Sequence, residues 1–241
     1  MENYRKIRPS KWNTRVPTQL GVETFDVAVD FGCGGHPRNP FGAKNLVGVD
    51  VFERAPFPTT SSLDYRQVNS SGKLPFENSS VDVLTAFDVL EHIPRQSGNS
   101  YHNPFIESMN EIHRALRPGG FFLAVTPCFP SGAAFQDPTH VNIITPVTHM
   151  YFSDDSWAKS LGYGFTGEFE SVSIGWYDWN KSFLDFSKVG HSTTFNASKY
   201  QLLRRIFAEF LFLVRLSTFG WLRKPSHFMW VFRKPLEKNL L

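Results

Sequence analysis

Short apolar runs separated by polar, glycine-bearing stretches set the texture of the chain from Phe25 to Thr126. The runs at 26–31, 46–50, 81–87 and 121–126 are mostly apolar, the pattern of parallel strands buried on both faces, 65–69 is a more polar fifth strand candidate, and helix-like segments alternate with them. Ahead of the last run, Asn103-Pro104 reads as an N-cap followed by proline at the first helical position. Phe105, Met109, Ile112 and Leu116 then recur at helical spacing, with Pro118-Gly119-Gly120 as the stop. Beyond residue 128 a Pro-rich, aromatic stretch continues to about Phe152. A short helix is predicted over Ser153 to Leu161 with Ser153 as its cap, then a strand over Phe165 to Trp176, a helix over 198–222 and a final strand over His227 to Arg233. The connection over 177–197 is long for a compact domain.

A length of 241 residues fits one domain over 1–241, with a candidate binding half at 25–128 and an elaboration at 129–241. Net charge is only +3, so a polyanion-binding surface would have to come from a local cluster. Two cysteines, Cys33 and Cys128, have no ligand spacing and are too few for a disulfide framework, which fits a reducing compartment. The N-terminus lacks the apolar run of a signal peptide and no stretch has the length to span a bilayer, so a cytoplasmic location is expected. Aromatic residues make up 15% of the chain, more ring surface than a core of this size usually needs, so some rings could line a site.

The first run leads directly into Asp30-Phe31-Gly32-Cys33-Gly34-Gly35, where glycines let the backbone turn sharply and approach a ligand. The second run ends on Asp50, an acid placed to accept both hydroxyls of a ribose. The same residues also read as a tight turn with Asp50 capping the next segment. His36-Pro37-Arg38 follows where a GxGxxG loop would continue, which disfavours a dinucleotide. Leu74-Pro75-Phe76-Glu77-Asn78-Ser79-Ser80-Val81-Asp82-Val83, then Asp88-Val89-Leu90-Glu91-His92-Ile93-Pro94, then Leu116-Arg117-Pro118-Gly119-Gly120-Phe121, is similar in order and spacing to the class I S-adenosylmethionine-dependent methyltransferases.

That resemblance is strong over about 25–128. It implies an α/β, Rossmann-like fold with a seven-stranded, mostly parallel sheet in the order 3-2-1-4-5-7-6, helices on both faces and S-adenosylmethionine as cofactor. By resemblance, Asp30, Gly32 and Gly34 lie beside the methionine moiety and Asp50 binds the ribose. Asn69 or Ser70 stands where the family often carries an Asp toward the adenine amine, and an Asn carbonyl can still accept from that amine. Phe87 and Asp88 fall where cofactor and acceptor meet. The prolines of HPRNPFGA cannot sustain the usual first helix, a departure that resembles a branch with shortened first crossovers, often found in glycan and cell-envelope pathways.

Asp88, Glu91 and His92 lie at i, i+3 and i+4, so on a helix they share one face. Some family members bind a divalent metal at this spacing. Glu91-His92 also occurs widely with no metal, supporting the site, and no metal is expected here because no fourth ligand is identifiable.

Methyl transfer to a hydroxyl needs alignment and a base, and Phe135-Gln136-Asp137-Pro138-Thr139-His140 supplies Asp137 and His140 as candidates, with Asp88 as a third. Asp137 to His140 resembles a motif of polysaccharide-cluster and O-antigen methyltransferases, and equally reads as a hydrogen-bonded loop. Phe129, Phe135, Tyr151, Phe152, Trp157, Trp176, Tyr177 and Trp179 either stack on an acceptor or cover the sheet. The apolar, Arg-flanked stripe over 202–224 suits core packing or a peripheral membrane contact.

The expected activity is O-methylation of a sugar hydroxyl in a glycan or glycolipid precursor. The alternatives are a non-glycan small-molecule methyltransferase and a catalytically silent binding protein of this fold. Nucleic-acid methylation is disfavoured by the modest charge and by Phe87-Asp88-Val89-Leu90 where an Asn-Pro-Pro-Tyr-like tetrapeptide would stand.

Overall fold

The computed structural model describes residues 24–34, 37–53, 64–68, 73–96, 103–153, 156–177 and 226–236. Within them lie strands β1 (Val27–Phe31), β2 (Asn45–Asp50), β3 (Asp64–Gln67) and β4 (Val81–Phe87), helix α1 (Pro104–Ala115) and strand β5 (Leu116–Pro127). Short helices α2 (Ala133–Gln136) and α3 (Trp157–Ser160) precede β6 (Glu170–Tyr177) and β7 (His227–Arg233). The seven strands form one sheet in the order β3-β2-β1-β4-β5-β7-β6, and β7 alone runs antiparallel to its neighbours. This is the Rossmann-like arrangement that the family resemblance implies.

The period of two along each strand divides the core between the faces of the sheet. Leu84 and Ala86 of β4 and Phe122 and Ala124 of β5 pack on one face with Phe105, Met109 and Ile112 of α1. Val83 and Phe87, with Phe121, Leu123 and Val125, pack on the other around Phe25 and Phe41. Every residue of β4 is buried, which explains why its sequence reads as a continuous apolar run apart from Asp82 and Thr85. Asp82 holds the sheet's entry end: one carboxylate oxygen accepts from the backbone N–H groups of Asp26 (3.0 Å) and Val27 (2.7 Å), and the other accepts from Arg117.

The Leu74-Pro75-Phe76 segment is tied to α1 in the same way. Arg114 donates to the carbonyls of Leu74 (3.1 Å) and Phe76 (2.7 Å), and Glu111 accepts from the Leu74 N–H (3.0 Å). The helix starts as its sequence dictates, with the Asn103 side chain accepting from the Ile106 N–H.

Several boundaries differ from the sequence reading. Helix α1 ends at Ala115, and Leu116 adopts an extended conformation (φ −66°, ψ 135°) that opens β5, so Pro118-Gly119-Gly120 lies inside the strand and stops nothing. Between Val81 and Val83 of β4 the partner on β5 advances from Leu116 to Phe121, an irregularity that takes up the proline and glycines on the β5 side. The cap of α3 is Ser156, whose hydroxyl accepts from the Lys159 N–H, while Ser153 donates to the His149 carbonyl and bridges Phe169. Strand β6 begins at Glu170 instead of Phe165, because Phe165 and Phe169 turn their rings into the core beside Phe152. Strand β3 is also shorter than predicted, ending at Gln67. Asn69, Ser70, Trp179, the 177–197 connection beyond Tyr177 and the helix predicted over 198–222 lie outside the described residues. Among the described residues no helix is long and apolar enough to cross a membrane.

Candidate functional site at the carboxyl ends of the strands

The turn after β1 is built on the end of β2. The N–H groups of Gly32 (2.7 Å) and Cys33 (3.1 Å) both donate to the Val49 carbonyl, and the Gly34 N–H donates to the Asp50 carboxylate at 2.7 Å. Gly32 has φ +66°, and a Cβ there would stand 2.2 Å from Cγ2 of Val89, so both conformation and space require glycine. On the next strand Gly48 lets Pro37 lie against the backbone: a Cβ would meet Pro37 Cγ at 2.6 Å. The rewritten first crossover is thus locked by packing where a helix would otherwise stand. Asn39 brackets Ala43 through its amide in both directions, and the Arg38 guanidinium sits 4.7 Å above the Phe87 ring.

Two buried acids frame this turn. Asp50 accepts from Gly34 and, at 3.2 Å, from the Phe52 N–H, which leaves part of its acceptor capacity for further donors. Asp30 accepts from Thr85 Oγ1 (2.6 Å) and from the Arg38 N–H (2.8 Å). Burial pushes the Asp30 carboxyl up to about 6, against the lowering effect of the Thr85 hydrogen bond. Phe87 has its ring in the core under Arg38, so what it offers at the site is backbone.

Asp88 follows β4 with φ +56°, a conformation uncommon for a residue with a side chain. Its N–H reaches the Val125 carbonyl (2.9 Å), and Oδ1 stands 3.0 Å from Nε2 of His227, whose Nδ1 is 2.7 Å from Ser226 Oγ. The expectation that Asp88, Glu91 and His92 share a helical face is therefore corrected. Asp88 is outside the helical region, only Leu90–His92 forms a 3₁₀ turn, and the two carboxylates part toward different partners. His227 was missed by sequence reasoning. It opens a strand of its own, and only the antiparallel placement of β7 beside β5 brings it to the carboxyl end of the sheet.

Glu91 turns inward. Its Oε2 accepts from Thr126 at the end of β5 (2.8 Å), its backbone carbonyl accepts from the Val141 and Asn142 N–H groups, and burial pushes its carboxyl up to about 8. The loop of Asp137 and His140 folds over it. His140 Nε2 is 3.8 Å from Glu91 Oε1 and its Nδ1 is 3.2 Å from the Ala134 carbonyl. Asp137 lies at the surface and accepts from both the N–H and the hydroxyl of Thr139, which holds its carboxyl below the usual range. His140, Glu91 and His92 are thus brought together, while Asp88 stands apart with His227.

The aromatic residues divide. Phe152, Trp176 and Tyr177 belong to the packed interior, whereas Phe129 (47% exposed) and Phe135 (57% exposed) meet edge to face at 6.3 Å on the segment that carries His140.

A seven-stranded sheet of this order, with a glycine turn and an acid at the ends of its first two strands, defines a class I methyltransferase fold. Residues 29–124 match a methyltransferase domain family, and the cofactor of this domain is S-adenosylmethionine. A Mycolicibacterium smegmatis protein described as "Probable S-adenosylmethionine-dependent methyltransferase" is 35% identical over 108 residues, 41% of this chain and 37% of that protein. Demethylmenaquinone methyltransferase of Staphylococcus aureus is 22% identical over 178 residues, 66% of this chain and 69% of the relative. The chain thus spans little more than a third of the first of these relatives. The crystal structure of a SAM-dependent methyltransferase from Archaeoglobus fulgidus has the same fold, with a TM-score of 0.56 at 15% identity and 97% of each chain covered.

Proposed function

We propose that this protein transfers the methyl group of S-adenosylmethionine to a hydroxyl of a small-molecule acceptor, with a sugar or glycan precursor as the acceptor class. The observation that carries the reading is the pairing of the Gly32–Gly34 turn with buried Asp50 and Asp30 at the carboxyl ends of β1 and β2. Backbone that approaches this closely, flanked by a carboxylate with acceptor capacity to spare, suits a ribose diol, and Asp30 offers negative charge to the cationic methionine end. Asn69 and Ser70 complete the proposal on the adenine side. The backbone of Phe87 and Asp88 forms the boundary between cofactor and acceptor.

Bound S-adenosylmethionine would supply an activated methyl group to the acceptor oxygen and depart as the thioether, so what the chain must provide is alignment and a base for the hydroxyl proton. His140 is the proposed base: with Nδ1 anchored on a carbonyl, the neutral ring keeps its lone pair on Nε2. Asp137 holds the loop through Thr139, and Asp88 with His227 is the second proton acceptor at this end of the sheet. Exposed Phe129 and Phe135 support an acceptor stacked beside His140. The sugar class rests on the Asp137-Pro138-Thr139-His140 motif, and Cys33 and Cys128, both buried as thiols, support a reducing, cytoplasmic setting.

The test is incubation with methyl-labelled S-adenosylmethionine and a panel of hydroxylated acceptors, sugar nucleotides and glycolipids included. Label transferred to oxygen supports the reading. A chain that binds the cofactor and transfers to none of them would favour the silent binding protein.

A further inference from the structure

We propose that Glu91, His92 and His140 form a binding site for one divalent first-row transition-metal cation at the acceptor end of the sheet. Each of the three offers a ligand atom, and these atoms lie within 4.8 Å of one another. A cation with bonds of about 2.1 Å holds its ligand atoms about 3 to 3.5 Å apart, so the trio closes by about an ångström on loading.

What distinguishes this cluster from a chance meeting of polar residues is how its other atoms are engaged. His140 has Nδ1 on the Ala134 carbonyl (3.2 Å), and His92 has Nδ1 on the carbonyl of Thr139 (3.2 Å). In both rings a carbonyl takes the Nδ1–H, which fixes the neutral tautomer with the lone pair on Nε2, the form a metal requires. Thr139 is itself held by the Asp137 carboxylate through N–H (2.8 Å) and hydroxyl (2.6 Å), an outer support of the kind that orients ligating histidines.

Glu91 supplies the second, independent observation. Its side chain is 2% exposed, Oε2 is satisfied by Thr126, and Oε1 has no hydrogen-bond partner while standing 3.8 Å from His140 Nε2. A buried polar oxygen left without a partner is costly, and a cation at this position would supply one. Asp88 does not belong to the set: its carboxylate lies beside His227, with Oδ1 3.0 Å from Nε2, and the ligand atoms that gather are those of Glu91, His92 and His140.

Two imidazoles and one carboxylate select zinc, iron(II), cobalt or manganese over magnesium and calcium, which favour all-oxygen sites. Three protein ligands also leave coordination positions open. Where the acceptor is a hydroxyl, an open position would take its oxygen and His140 would serve as ligand instead of base. That clause rests on the methyl-transfer reading, whereas cation binding does not.

The experiment is a calorimetric titration of the chelator-stripped full chain with zinc, repeated with cobalt followed by visible absorption, without cofactor or acceptor. One saturable equivalent is expected, unaffected by millimolar magnesium. His92→Gln and His140→Gln should each weaken it by at least about tenfold, as Glu91→Gln should, while His113→Gln, a histidine packed elsewhere against Phe169, should not. Because buried Glu91 also supports the fold, the exposed ring of His92 decides, with circular dichroism confirming that its variant is folded. Absence of saturable binding, or affinity retained in folded His92→Gln, overturns the proposal and leaves methyl transfer untouched, since the titration contains no methyl donor.

Discussion

The two ends of the proposed site are built by different means. In the turn after β1 the glycine loop is held from backbone to backbone or from backbone to a carboxylate: Gly34 reaches Asp50 across 16 positions, and Gly32 and Cys33 share one carbonyl of the neighbouring strand. Past β4 and β5 no such glycine loop is present among the described residues, and side chains from distant segments meet, with Glu91 reaching Thr126 across 35 positions and His92 reaching Thr139 across 47. The first region presents a fixed shape whose features come from glycine and a buried acid. The second presents titratable groups whose roles depend on which partner each one finds. A fold can therefore keep the first and vary the chemistry of the second.

Breaking the first region should have the largest effect. Gly32→Val places a side chain at φ +66° where Val89 already stands, so a loss of about 2 to 5 kcal/mol in stability is expected together with loss of cofactor binding, read by chemical denaturation and calorimetry. The steric conflict is with Val89 as well as with any ligand, so folding should suffer along with binding. Next comes the second region. His140→Gln should leave cofactor affinity intact and lower turnover by roughly 10² to 10⁴-fold in a single-turnover assay, and a variant that turns over normally would return the residue to loop architecture.

Asp50→Ala should weaken cofactor binding by about 1 to 3 kcal/mol, because the ribose hydroxyls lose their acceptor and the Gly34 N–H loses its anchor.

A subtler probe is pH. Asp30 carries a carboxyl raised from 3.8 to about 6 by burial, so in the free protein its stabilising contribution is complete below about pH 4 and is lost as the pH rises through about 6. A cationic cofactor pulls the same equilibrium toward the ionised form. Affinity should thus decline as the pH falls through about 6, and Asp30→Asn should remove that step. The smallest effect is expected far from both regions. Asn103→Ala removes the cap of α1 and should cost about 1 kcal/mol of stability with unchanged cofactor affinity.

What was legible in the chain follows this same division. The strands from β1 to β5, the glycine turn and Asp50 lie in contiguous stretches whose apolar period and punctuation carry the information locally, and Asn103-Pro104 marked the start of α1 to the residue. Three features carry no local signal. The Asp88 and His227 pair exists only because β7 lies antiparallel beside β5. The left-handed conformation of Asp88 separates it from Glu91, and no periodicity argument contains that break. Ser153 and Ser156 are equivalent as caps in sequence, and packing of Phe152 and Phe169 against the sheet selects Ser156.

The central claim is that the turn after β1 and the acid ending β2 form a cofactor site, and isothermal titration of the full chain with S-adenosylmethionine tests it most directly. The account predicts one molecule bound per chain, with folded Asp50→Ala weakened by roughly ten- to a hundredfold. No measurable binding to the folded wild-type chain, or equal affinity in the variant, would contradict it.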